Sequence, residues 1–202
     1  MKRLLPILFI LGCSSANQFL SRDMINQLRD ANAVLTVGEG ARCSGVVVGE
    51  HLILTAAHCL MRCEEPTVMI RIAGVGTDAA PLRCDVENDI GLIRTERRLP
   101  NPRWLASTPA AVGDLVYTVG NPLLPGGISI GLVSMGLVSG HDGNQMVLGL
   151  FVMPGSSGGA VYNSKGQIVG VVVSMIMTVM GPVVGVAYAT PLGPIRKLIE
   201  GE

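Results

Sequence analysis

From Ala33 to Ala189 the chain has no stretch of helical periodicity; short β-rich runs, broken by glycine, proline or charged turns, follow one another instead. Six such runs fall at residues 33–37, 44–48, 51–55, 68–73, 82–86 and 89–94, and six more at 115–119, 128–139, 146–152, 159–162, 167–173 and 183–189. A proline-bearing connector, from Leu99 through Pro100 and Pro102 to Pro109, separates the two sets. Strands this short, with no helical crossovers between them, pair antiparallel, and a set of six can close on itself and remove its edges. The expected class is therefore all-β, two antiparallel six-stranded barrels. Ser21 is a good N-cap ahead of Met24, Ile25 and Leu28, which predicts a short helix packed on the outside. Pro191 and Pro194 open a second short helix at the C-terminal end. The domain reading that follows is an N-terminal helical segment over 17–32, a first barrel over 33–100, a connector over 101–110, and a second barrel with its helix over 111–202.

Fifteen basic and fifteen acidic residues cancel, so the charge balance announces neither a nucleic-acid nor an anionic-surface partner. Between Trp104 and Ile195 only Asp114, Asp142 and Lys165 are charged, so that half must bury much of itself or meet something apolar. The uncharged run 168–187 has the length of a membrane span. Its Val and Gly content and the Gly181-Pro182 break read instead as two strands and a turn.

Residues 1–16 read as an export signal: Lys2 and Arg3, an apolar run from Leu4 to Leu11, then small residues. Ile10-Leu11-Gly12-Cys13 resembles a bacterial lipobox over residues 1–12, which would make Cys13 a lipidated first residue and tether the chain to a membrane. Ser14-Ser15-Ala16 also suits ordinary signal cleavage, leaving a periplasmic or secreted protein. On either route the fold begins after Ala16.

Gly155-Ser156-Ser157-Gly158-Gly159 places a hydroxyl in a glycine-flanked turn between two apolar runs. A serine needs a base to take its proton and donors to hold the oxyanion that forms. Without a Cβ at Gly155, the backbone can turn its amide and that of Ser157 toward one spot. The base candidate is His58, at the end of a β-rich run in the small-residue turn Thr55-Ala56-Ala57-His58-Cys59. A hairpin between Cys43 and Cys59 would bring those two cysteines together, as a disulfide requires.

Cys43-Ser44-Gly45 through His58-Cys59, then Asp89-Ile90-Gly91-Leu92, then Gly155 to Gly159 resemble, in that order, the three catalytic blocks of chymotrypsin-fold serine proteases. Val119-Gly120-Asn121-Pro122 and Gly185-Val186-Ala187-Tyr188-Ala189-Thr190-Pro191 are similar to the bacterial high-temperature-requirement (Deg-type) branch. The resemblance runs from about Val34 to the C-terminal helix. It implies a serine endopeptidase acting on protein or peptide substrates. His58 is then the general base, Asp89 its orienting partner and Ser157 the nucleophile, with the Gly155 and Ser157 amides as the oxyanion hole. Asp89 is preferred to Asp85 and Asp78 because it runs directly into an apolar strand. Ser157 is preferred to Ser156 because it alone has Gly two before and Gly-Gly after. The pocket for the side chain preceding the cleaved bond is expected from Phe151 and from Val173, Ser174 and Met175. None of these is charged, which implies small or medium apolar side chains.

Departures from the family carry expectations of their own. Digestive relatives have an acid before the nucleophile, which pairs with a new N-terminus after zymogen cleavage; Ser156 stands there, so no such switch is expected. Nothing follows Glu202 to supply the peptide-binding domain common in Deg-type enzymes, so control of that kind is not expected either. Gly91 replaces the usual Ala of its block. The Gly155-x-Ser157-x-Gly159 spacing also fits an α/β-hydrolase elbow, but that fold needs a histidine after the serine and none follows Ser157. His58, Cys59, Cys63 and Cys84 could be read as zinc ligands. For an exported chain disulfides are preferred, with Cys63 and Cys84 left to pair if Cys13 is lipidated. Neither cofactor nor metal is expected, and His141 reads as a solvated loop residue. A silent binding protein or an esterase on the same fold are the alternatives.

Overall fold

The computed structural model describes residues 19–38, 40–64, 67–124, 126–128, 130–178 and 181–201; the expected export signal and Cys13 lie outside them. Helix α1 (Arg22–Asp30) starts where Ser21 Oγ accepts the Met24 N–H at 3.1 Å, satisfying one of the donors a helix leaves free at its start. The first barrel follows: β1 (Asn32–Val37), β2 (Ala41–Gly49), β3 (Leu52–Ala56), β4 (Val68–Ile72), β5 (Val75–Asp85) and β6 (Ile90–Arg94), with a 3-10 turn (Ala57–Cys63) between β3 and β4. It closes in the order β1-β2-β3-β6-β5-β4. The second barrel uses β7 (Leu115–Gly120), β10 (Leu132–Asp142), β11 (Gln145–Gly149), β12 (Ala160–Tyr162), β13 (Ile168–Thr178) and β14 (Gly181–Pro191), closed as β10-β11-β14-β13-β12-β7. All of these pairings are antiparallel, as the lack of crossover helices requires. Helix α2 (Leu192–Glu200) ends the chain, and Arg83 Nη1 donates to its last-turn carbonyls of Leu198 and Ile199, groups that no residue of the helix can reach.

Two segments differ from the sequence expectation. The strand expected over 128–139 is interrupted: β8 (Leu123–Leu124) and β9 (Gly127–Ile128) form a separate two-stranded ribbon, and β10 begins only at Leu132. At the interruption the Gly131 N–H donates to the Asn121 side chain at 3.0 Å rather than to a neighbouring strand. The strand expected over 82–86 is the end of the longer β5.

Alternation explains how strands with so few polar residues stay ordered. Along β4, Val68, Ile70 and Ile72 point inward while Met69 and Arg71 point out. Leu35, Val47, Ile53 and Ile70 fill the first barrel, and Val116, Val138, Leu148 and Val161 the second. A third cluster joins the two, bringing Leu54 and Leu92 of the first barrel against Tyr117 and Tyr162 of the second. Leu28 of α1 and Ile195 of α2 complete it at 0% exposure. Helix α1 thus adds to neither barrel interior yet seals the seam between them. Truncation there leaves a cavity that the packed cluster cannot refill: Leu28→Ala is expected to lower the unfolding free energy by about 2–5 kcal/mol, read from the urea midpoint.

Candidate active site

His58 lies in the 3-10 turn that follows β3, and Asp89 sits one residue before β6, the strand that pairs with β3. That pairing brings the two together. Asp89 has φ +53°, a conformation that Asp adopts more readily than most residues, and its own carbonyl accepts the Ala57 N–H at 3.1 Å. The carboxylate then meets the histidine twice: Oδ1 accepts the His58 backbone N–H at 2.8 Å, and Oδ2 lies 2.7 Å from His58 Nδ1. A carboxylate cannot donate, so this contact fixes the proton on Nδ1 and leaves Nε2 as the ring's free base. The imidazole remains accessible, with 43% of its side chain exposed. Neither reserve acid reaches it. Asp85 accepts the Asn88 N–H at 3.0 Å and Asn88 Nδ2 at 2.7 Å, and Asp78 pairs with Met69 on β4.

Two disulfides, Cys43–Cys59 and Cys63–Cys84, tie this turn to β2 and β5, with Cα atoms 6.1 and 6.2 Å apart. Cys43, His58 and Cys59 do cluster, but their sulfurs are bonded to each other and offer no thiolate to a metal. Cys59 Sγ lies 3.6 Å from His58 Nε2 and 3.7 Å from the Ser157 carbonyl oxygen, so one sulfur touches both the ring and the serine backbone.

The loop carrying Ser157 is fixed carbonyl by carbonyl. Pro154 O accepts from Leu123 N at 2.9 Å, and Ser156 O from Gly159 N at 3.0 Å. In a trans peptide the C=O and N–H of one plane point in opposite directions. The amides sharing those planes, Gly155 N–H and Ser157 N–H, therefore face away from the groups holding the carbonyls. Among the described residues neither of these amides donates to any acceptor. Two undonated amides on either side of one residue form a ready anion-binding notch. Gly155 (φ +96°) and Gly158 (φ +85°) make the turn possible. A Cβ on the first would press on the Asn121 carbonyl, and on the second would overlap the Ser44 carbonyl and the Thr55 hydroxyl.

Beside Ser157 opens a cavity of about 160 Å³. Val152, Met153, Pro154, Ser156, Val172, Ser174 and Met175 line it together with Ser157. Ser174 and Met175 are where the sequence reading put them, whereas Phe151 and Val173 are not among its lining residues. Val173 is 4% exposed and packs with the first barrel's core. The register of β13 against β14 shifts between Val172 and Ser174, so Val173 is the extra residue of a bulge and turns the other way. Phe151 has its N–H bonded to Ser134 Oγ at 3.0 Å and its side chain 37% exposed. Sequence reasoning missed Val152, Val172 and the buried pair Ser44 and Asn121. His141 lies at a separate surface cavity, with Lys197 and Asp85.

A family model described as a trypsin-like peptidase domain matches residues 43–171. A probable periplasmic serine protease, do/HhoA-like, of Haemophilus influenzae is 28% identical over 167 residues, covering 78% of this chain and 35% of that protein. The chain spans about a third of the length of the curated relatives it matches. Among solved structures, the HtrA-type protease AlgW with tripeptide aligns with a TM-score of 0.76 at 22% identity, covering 89% of this chain and 62% of that one. A serine endoprotease from Yersinia pestis aligns at 0.74 and 20% identity, covering 88% and 65%. At such identities the structural likeness speaks for the fold.

The His58 contact makes a prediction independent of any reaction. The Nδ1 proton of His58 is expected as a far-downfield resonance in proton NMR that survives Asp85→Ala and is lost in Asp89→Ala.

Proposed function

The chain belongs to the trypsin-like peptidase domain family, and from that membership we propose that it is a serine endopeptidase of the HtrA/Deg kind. The observation that carries this reading is a histidine held by Asp89 through Nδ1, together with a loop in which the amide of Ser157 and that of Gly155 two residues before it are both undonated. In the proposed reaction Ser157 Oγ attacks the scissile carbonyl carbon while His58 Nε2 takes the hydroxyl proton. Asp89 keeps the imidazole in the required tautomer and stabilises the cation it becomes. The carbonyl oxygen gains the negative charge and is met by the Gly155 and Ser157 N–H groups, each worth roughly 3 kcal/mol at the transition state. Collapse passes the His58 proton to the leaving amine and leaves an acyl-enzyme. Water, deprotonated by the same Nε2, then attacks the ester and restores Ser157.

Substrate preference follows from the cavity beside the nucleophile. Its volume of about 160 Å³ and its uncharged lining favour a small or medium apolar side chain before the cleaved bond. The tripeptide named with the AlgW structure supports peptides as the substrate class. The names of the curated relatives, periplasmic serine proteases, support export, and lipidation of Cys13 is the finer proposal for how the chain is then held.

A serine-directed fluorophosphonate is expected to label the wild-type chain and not Ser157→Ala; a folded wild type that resists labelling overturns the reading. Ser157→Ala and His58→Ala should each lower kcat by about 10⁴-fold or more, and Asp89→Asn by about 10⁴-fold, with the fold intact by circular dichroism. In a peptide library the fastest cleavage should follow small or medium apolar residues, and cleavage fastest after Arg or Glu would reject the pocket assignment.

A further inference from the structure

Ser44 sits on β2 in the first barrel at 0% exposure, and every polar atom it has is engaged. Its N–H donates to the Ser157 carbonyl at 2.8 Å, and its own carbonyl accepts from Thr55 Oγ1 at 2.7 Å. Its hydroxyl donates to the Gly155 carbonyl at 2.7 Å and accepts the Asn121 backbone N–H at 2.8 Å. The direction of that proton is forced, since the Asn121 N–H can only donate and the Gly155 oxygen can only accept.

Asn121, also at 0% exposure, is oriented just as firmly. Its Nδ2 donates to Ala33 O at 2.8 Å and lies 3.2 Å from Ser44 Oγ. Its Oδ1 accepts from Gly131 N at 3.0 Å and from Asn32 Nδ2 at 2.7 Å. A backbone carbonyl and a backbone N–H thus read the two ends of the amide, so flipping it would set like groups against each other. The result is a fully satisfied, uncharged chain of bonds from Asn32 through Asn121 and Ser44 to the loop that carries Ser157. Buried networks of this kind hold one geometry strongly, because any rotation strands a polar group away from water.

We infer that Ser44, oriented by Asn121, is a positioning residue for the oxyanion-binding amides. The inference rests on the endopeptidase reading above and goes one layer outward from it. Leu123 and Gly159 hold the carbonyls that share planes with the two amides; Ser44 holds the carbonyl of Gly155 between them and that of Ser157 just after. With all four fixed, the two N–H groups cannot rotate independently. Ser156, in place of an acid, supports the same conclusion. Its N–H donates to Met153 O at 2.9 Å, the Met153 N–H donates to its Oγ at 3.3 Å, and no charge is needed to seat it. Removing the Ser44 hydroxyl strands the Gly155 carbonyl and the Asn121 N–H together, and the peptide between Gly155 and Ser156 turns to relieve them. That tilts the notch without altering the cavity that receives the substrate side chain.

The test is Ser44→Ala in the full chain, assayed on a peptide anilide with an apolar residue before the scissile bond. The expected result is a fall in kcat of about 10- to 100-fold with KM within about threefold, because the lost interaction is made in the transition state. Hydrogen exchange across residues 153–159 should quicken by about tenfold or more while the strands of both barrels keep their protection. Asn32→Ala, which removes only the far end of the network, should move both readouts the same way by less, and it stands in where Ser44→Ala does not fold. A folded Ser44→Ala with kcat within twofold of wild type overturns the inference, as does a rise in KM alone or unchanged exchange over 153–159. A wild type that neither turns over nor labels, while the exchange still responds to Ser44→Ala, rejects the endopeptidase reading and keeps the clamp on the loop.

Discussion

His58 is carried by the first barrel and Ser157 by the second, so the site exists only where the two meet, and its geometry is set by what joins them there. The joining contact is the Ser44 N–H to Ser157 carbonyl bond, backed by the Ser44 hydroxyl on Gly155. One residue of β2 thereby holds two carbonyls of the opposite barrel. The apolar seam behind it, with Leu54 and Leu92 against Tyr117 and Tyr162, supplies adhesion but no direction, because burial of hydrocarbon area is indifferent to small slides. Hydrogen bonds at a fully buried position supply the direction. They weaken steeply when their angles are bent, and their breaking leaves groups that water cannot reach.

The near absence of charge in the second half follows from the same economy of burial. A closed barrel faces its own interior on one side, and its strands also meet the other barrel, so many positions have no water to solvate a charge. An ion pair under the loop that carries Ser157 would carry a large desolvation cost at such a place. Asn32, Asn121 and Ser44 achieve the fixing with neutral groups whose donors and acceptors match. Ser156, where an acid would need a cationic partner, is seated by neutral hydrogen bonds to Met153 and Gly159.

Much of this was legible in the sequence, because it was written in local signals. Short β-rich runs between breakers gave two six-stranded barrels, and Asp89 stood out from Asp85 by leading into an apolar strand. What escaped was set by tertiary pairing. Val173 was expected in the substrate cavity by counting along the family's pattern from Ser157, whereas in the structure it is the extra residue of a bulge against β14 and packs with the first barrel's core. The strand expected over 128–139 broke because Gly131 gave its N–H to a side chain ten residues back. Ser44 and Asn121 lay in stretches that carried the resemblance, Cys43-Ser44-Gly45 and Val119-Gly120-Asn121-Pro122, yet nothing local named a partner for either; only the meeting of the barrels supplies those partners.

The turn that presents His58 shows how such a site remains in place when its backbone is unfavourable. Among the described residues five non-glycine positions have positive φ, and Met61, Cys63 and Asp89 are three of them, all within the turn or bonded to it. Each such conformation costs on the order of 1–3 kcal/mol and persists only where its surroundings over-determine it. Asp89 is held by its hydrogen bonds to Ala57 and His58, and around Met61 and Cys63 the surroundings are covalent. Cys43–Cys59 fixes the residue after His58 to β2, beside Ser44, and Cys63–Cys84 fixes the end of the turn to β5. The two halves of the site are therefore held by different means to adjacent residues of one strand: the histidine turn by a disulfide to Cys43, the serine loop by hydrogen bonds to Ser44. Neighbouring residues of β2 thus set where both halves of the site stand relative to one another.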